Sequence, residues 1–219
     1  MEDLMRQVDG YCERTDFAYW SEPLNAVTNA AFLIAALVMW RRLRGVPFGI
    51  GHVLCLILAV IGTGSYLFHT HATIWASWAD MVPIGVFVLV YLFATNRDLV
   101  GLRAPWALLA TLGFVPFVAV TLPVFAALPF FRISSVYWPI PLLIVLYALG
   151  LRARAPDTAR GFAIGSAILV ASLILRSLDQ PLCGVFPFGT HFLWHILNGI
   201  MLGWMIEVWR RHRLASVPA

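Results

Sequence analysis

The chain has 219 residues, of which 61% are hydrophobic and only 12% charged, and its mean hydropathy is +0.83. A soluble domain carries about twice that charged share, so the composition excludes an ordinary water-soluble fold and points to a protein solvated largely by lipid. The net charge of +4 comes from fifteen arginines and no lysine. They are divided among juxtamembrane loops instead of forming one stripe, which gives no support to nucleic-acid binding.

Apolar runs fall at about 23–40, 50–68, 80–95, 105–130, 136–151, 161–176 and 191–209. Each is near the ~20 residues a helix needs to cross a bilayer, and a helix satisfies its own backbone there. The expectation is an all-α integral membrane protein: one seven-transmembrane helix bundle over residues 1–219, with an outer acidic segment, 1–22, ahead of it. The third, fifth and sixth helices are expected to be the shortest. The first apolar run lacks a preceding basic region and a small-residue cleavage pattern, so it reads as a retained helix rather than a signal peptide. Eleven arginines follow helices one, three, five and seven, against Arg6, Arg14, Arg132 and Arg176 on the opposite side. By the positive-inside rule the C-terminus is expected in the cytoplasm and the N-terminus outside.

The segment from Asp9 to Asn25 is the most polar part of the chain and carries Asp9, Glu13, Asp16 and Glu22. It reads either as a solvated cap, with Glu22 near the positive end of helix one, or, with Thr15 and Asn25, as oxygen ligands around a hard cation such as calcium. Helix two ends in Gly64-Ser65-Tyr66-Leu67-Phe68-His69, which sets Ser65 and His69 on one face, four residues apart. His71 just beyond fits an interfacial ring. Asp80 follows the tryptophan-rich stretch Trp75 to Trp78, expected as a loop, and is either an N-cap or a carboxylate turned into the bundle, which is a functional candidate by default. Tyr137 and Trp138 fit an aromatic belt, Arg176 and Asp179 a local ion pair, and Glu207 an interfacial position.

The last helix opens with His191-Phe192-Leu193-Trp194-His195, again a four-residue spacing that lets both rings reach one ion. Counting helices from the outside places His69, Asp80, Asp179, His191 and His195 at the same outer depth as the acidic segment, with His52 and His212 at the cytoplasmic end. Three imidazoles with an open fourth position are the usual make-up of a catalytic zinc site. Zinc would activate water, Asp80 would handle the proton and Ser65 would donate to a developing oxyanion, together an amide or ester hydrolase. A haem site and a purely structural histidine cluster are the competing readings. The His191/His195 pair cannot ligate opposite faces of one haem, because both rings leave one side of one helix.

These residues resemble the alkaline ceramidase family, part of a seven-helix hydrolase superfamily that also includes the adiponectin-receptor type proteins. The resemblance rests on Tyr11-Cys12-Glu13, Glu22-x-x-Asn25, Gly64-Ser65 with His69, Asp80, Asp179 with Cys183, and His191-x-x-Trp194-His195-Ile196-Leu197. It implies that His69, His191 and His195 are zinc ligands, Asp80 the proton acceptor and Ser65 the oxyanion donor. It further implies that Glu13 and Glu22 belong to a calcium site and that Cys12 and Cys183 form a disulfide, leaving Cys55 as a buried thiol. Gly10 and Tyr11 stand where the family has aspartate and tryptophan, the spacer between the glutamates is shorter, and Met81 takes the place of a frequent glutamate. Asp9, Thr15 and Asp16 are the substitutes within reach for calcium. The implied activity is zinc-dependent cleavage of ceramide or a similar N-acyl lipid to fatty acid and amine, in a bacterial inner membrane with the site toward the periplasm. An ester-cleaving lipase and a slow-turnover lipid sensor are the alternatives.

Overall fold

The computed structural model describes residues 2–215. Among the described residues six helices are long and apolar enough to cross a membrane: α1 (Pro23–Arg42), α2 (Ile50–His71), α3 (Ile74–Leu99), α4 (Ala104–Ala127), and, after the shorter apolar helix α5 (Pro139–Leu151), α6 (Pro156–Leu182) and α7 (His191–Ala215). Among the described residues there is no strand beyond one isolated bridge between Gln7 and Thr73. Helices adjacent in the chain pack on one another and α7 returns to lie against α1, closing a ring.

Starts and breaks follow local chemistry. Proline sits in the first turn of α1, α4, α5 and α6, where its fixed φ is already helical and its missing N–H is not needed. Within α4, Pro116 cannot donate to the carbonyl four residues before it, and the regular helix is interrupted at Gly113. That helix buries only Ala107 and Thr111, so its other faces meet lipid or partly covered surface.

The third and sixth helices differ most from the hydropathy reading. The helix expected from residue 80 begins at Ile74, taking in the tryptophans expected in a loop, so Asp80 is a buried residue of the second turn and not an N-cap. The cause lies in tertiary contacts: α2 ends on Ala72 in the left-handed region (φ 47°), and the N-terminal strap receives the turn, with Ile74 N–H donating to the Arg6 carbonyl and Val8 N–H to that of Ala72. The third helix, at 26 residues, and the sixth, at 27, are the longest and not among the shortest, the sixth because Pro156 starts it early and the polar stretch Arg176–Gln180 continues it.

The core is apolar and continuous, with Phe32, Leu54, Leu58, Ile61, Phe162, Leu173 and Ile206 fully covered. The tightest approach is between α2 and α3. A Cβ on Gly64 would lie 2.0 Å from the Ala79 carbonyl oxygen, so a hydrogen in place of a side chain lets the two backbones touch, as small residues do throughout membrane helix packing. That contact brings Ser65 and Asp80, the next residue on each helix, to neighbouring positions.

Gly64→Ala therefore forces α2 and α3 apart. The expected loss is about 1–3 kcal/mol, the usual range for overpacking, read as a lowered melting temperature of the purified chain in detergent.

Candidate metal centre

His69 comes from the last turn of α2, and His191 and His195 from the first two turns of α7. One nitrogen of each lies within 4.8 Å of the others, and all three rings are essentially sealed from solvent. His69 Nε2, His195 Nε2 and both nitrogens of His191 have no hydrogen-bond partner. Buried polar atoms are ordinarily paired, and leaving them bare is costly. A metal ion answers that need, and the donor set fits one that favours imidazole.

The backs of two rings are held. His69 Nδ1 pairs with Glu22 Oε2, and His195 Nδ1 lies 3.0 Å from Thr28 Oγ1. With Nδ1–H donated rearward, each Nε2 keeps its lone pair toward the cluster, the arrangement by which outer partners orient metal-binding histidines. His191 is fixed by stacking, with Tyr11 on one face at 3.7 Å between centroids and Trp194 packed parallel at 5.1 Å.

Glu22 is itself surrounded. Its Oε1 accepts from Arg14 Nε and its Oε2 also accepts from Asn25 Nδ2 at 2.9 Å. Burial pushes its carboxyl up, but the hydrogen bond and charge of His69, the Asn25 amide and the Arg14 charge more than offset this and leave it below the ordinary carboxylate range. Glu13 is engaged elsewhere, since its two oxygens accept the backbone N–H groups of Leu24 and Asn25 at 2.7 and 2.9 Å. Glu13, then, is the carboxylate that satisfies the free donors at the start of α1, the place expected for Glu22.

Ser65 is fully buried one turn before His69, and Asp80 is buried on α3 beside it. Ser65 Oγ and Asp80 Oδ1 make no hydrogen bond. The structure does not gather every expected residue. Asp9, Thr15 and Asp16 are exposed; the Thr15 and Asp16 amides donate to Ser21 Oγ, and Asp16 Oδ1 accepts from Ala18. His71 packs against Tyr19 and Trp75 instead. Glu207, expected at an interface, is buried and ion-paired with Arg42, Arg210 and Arg211.

Arg176 and Asp179 form no ion pair with each other. Arg176 donates to the Ile133 carbonyl, Ser134 Oγ and Tyr11 Oη. Asp179 Oδ1 accepts the N–H groups of Thr190 and His191 at 2.7 and 2.9 Å, and its Oδ2 accepts that of Cys12 at 2.9 Å. One carboxylate at the end of α6 thereby caps α7 and anchors the N-terminal segment. Gly189 makes this possible: at φ 63° it adopts a left-handed turn, and a Cβ there would sit 2.1 Å from Asp179 Oδ1. Cys12 and Cys183 are joined by a disulfide, while Cys55 is a buried free thiol.

Sequence reasoning missed Thr28 and the use of Arg14. Thr28 had a usable signal, since Asn25, Thr28 and Asn29 recur at helical spacing along one face of an otherwise apolar helix. Arg14 had none, because its partners are a side chain eight residues on and a carbonyl fifty-five residues on.

An apolar cavity of about 70 Å³ lies inside the bundle. Phe32 and Trp194, both packed on His195, line it together with Ile61, Leu173, Phe87, Tyr91 and Met205.

Over residues 9–215 the chain matches the family model described as Ceramidase. No curated protein matches it.

Replacing Asp179 by alanine strands three backbone donors at the mouth of the centre. At the cost of lost hydrogen bonds to a charged acceptor, the expected destabilisation is roughly 3 kcal/mol, measured by thermal or denaturant unfolding in detergent. Asp179→Asn, which retains one acceptor oxygen, should lose less.

Proposed function

The chain belongs to the ceramidase family, on a match that covers most of its length, and on that basis we propose that it is a zinc-dependent lipid amide hydrolase of the membrane. Family membership supports a hydrolase acting on amide bonds. The observation that carries the finer reading is the convergence of three buried imidazoles whose inward nitrogens lack partners, two of them held from behind and the third by stacking. His69, His191 and His195 are the zinc ligands. Bound there, zinc supplies Lewis acidity, acidifying water and polarising a carbonyl.

The remaining steps belong to the chain's own residues. Asp80 takes up the proton released as water adds to the amide carbon, and returns it to the nitrogen as the C–N bond breaks, giving a fatty acid and an amine. Ser65 donates to the carbonyl oxygen as it gains negative charge. The two groups are buried side by side, with Ser65 Oγ and Asp80 Oδ1 lacking a close hydrogen-bond partner. The cavity lining, with Phe32 and Trp194 packed on His195, is apolar like a hydrocarbon tail, and the lipid enters sideways between helices, whose outer faces are as apolar as its chains.

The substrate is ceramide or a similar N-acyl lipid. All seven helices, α5 included, span the membrane as one domain. The arginine distribution supports an outer N-terminus and an active site on the periplasmic side of a bacterial inner membrane.

Fatty-acid release from a panel of ceramides, N-acyl amines and phospholipids, with metal content measured on the same preparation, tests this reading. Release from N-acyl lipids is expected; release confined to ester lipids would mark a lipase, and zinc-loaded protein inert toward the whole panel would remove the enzyme reading in favour of a sensor. His191→Ala or His195→Ala should lose zinc and activity together. Asp80→Asn should keep zinc while kcat falls about 10²–10⁴-fold, and Ser65→Ala should lower kcat about 10²–10³-fold. Full activity in Asp80→Asn would refute its proton-transfer role.

A further inference from the structure

Beside the histidine centre, where the resemblance implies calcium, the residues present do not fit that ion. Calcium takes six to eight oxygens. Both oxygens of Glu13 are used by the N–H groups of Leu24 and Asn25, and both of Glu22 by Arg14, Asn25 and His69. Asn25 Oδ1, buried without a partner, is a single ligand. Among the described residues no group of three acidic, cysteine or histidine ligand atoms gathers here; the group that does is the three histidines.

What lies against Glu22 is the Arg14 guanidinium, with its side chain 1% exposed. It is spent in three directions: Nε donates to Glu22 Oε1, one terminal nitrogen to the Asp16 carbonyl at 2.9 Å, and the other to the carbonyl of His69 itself at 2.9 Å. A planar, positively charged fork of this kind is pre-organised for such a junction.

We propose that Arg14 is the resident cation of this site, a positioning residue that stands in for calcium. Its Nε holds Glu22 by one oxygen, so that the other is aimed at His69 Nδ1 and Nε2 is left bare for the metal. Its third hydrogen bond holds the His69 backbone at the end of α2. The chain therefore loads metal at its histidines without calcium. This rests on the reading of the three histidines as metal ligands.

The test uses the purified full chain in detergent. Calorimetric titration of the wild type with calcium, to about 1 mM, the weak end of extracellular calcium modules, should show no saturable uptake. Its melting temperature should be the same in calcium and in chelator. In Arg14→Ala, zinc affinity measured by competition with a chromogenic chelator should fall about 10–100-fold, the usual loss when a metal ligand's outer partner is removed. Arg14→Lys, which keeps the charge without the fork, should recover part of that affinity, a response that a merely structural arginine would not produce.

Stoichiometric calcium uptake by the wild type overturns the proposal, and that measurement does not depend on any variant folding. So does a folded Arg14→Ala chain with wild-type zinc affinity, or an Arg14→Lys chain that recovers none of what Arg14→Ala loses. A wild type that binds no zinc would instead sink the metal-centre reading, while the calcium titration would still be readable.

Discussion

A lone pair on a buried imidazole has no water to turn to, and this fold brings one such nitrogen from each of three rings together between α2 and α7. The bundle around them is arranged so that their bareness is stable. Each ring is fixed from behind or from its faces: His69 by Glu22, His195 by Thr28, His191 between Tyr11 and Trp194. Were these contacts absent, a ring could rotate or change tautomer and satisfy a nitrogen elsewhere. The outer contacts remove those alternatives, so that a cation is the remaining partner that can satisfy all three.

The same requirement explains why the N-terminal segment is built into the site instead of lying on the surface. Tyr11, Cys12, Glu13 and Arg14 are four consecutive residues with four attachments: a stack on His191, a disulfide to Cys183, the donors at the start of α1, and the Glu22–His69 pair. Asp179 binds the segment to α7 by accepting from Cys12 and from His191 at once. Helices α1, α2, α6 and α7 thus meet through a short polar strap. In a lipid-solvated protein this is where polar contacts are worth most, because a group that fails to find its partner cannot fall back on solvent.

The parts of this that can be read in the sequence are the parts written in local spacing. Four-residue intervals pair Ser65 with His69 and His191 with His195, and helix counting brings the two pairs to one end of the bundle. Hydropathy finds the helices but not their ends. Trp75 to Trp78 resemble an interface and so place Asp80 at a helix start, whereas the α2–α3 turn is set by the strap at Arg6 and Val8, about which hydropathy says nothing. Asp179 and Arg176 look like a pair at helical spacing, yet each is drawn off by stronger claims: backbone donors on α7 for one, and the carbonyl and hydroxyl at residues 133–134 for the other.

Arg14 marks the limit of such reading most clearly. In sequence it is one arginine among four assigned to the outer side, next to a glutamate with which it does not pair. In the fold its charge lies against Glu22 and its fork reaches the His69 carbonyl. A divalent ion beside two carboxylates and a guanidinium in the same place meet the same electrostatic need, but they differ in what they demand. The ion requires many oxygens turned inward, and the guanidinium requires acceptors spread around a plane. Glu13 turned to the α1 backbone and Asp16 offering only its carbonyl are what the second demand produces. The exposed positions of Asp9 and Thr15 agree with it, since a site already neutralised from within has no use for further oxygens.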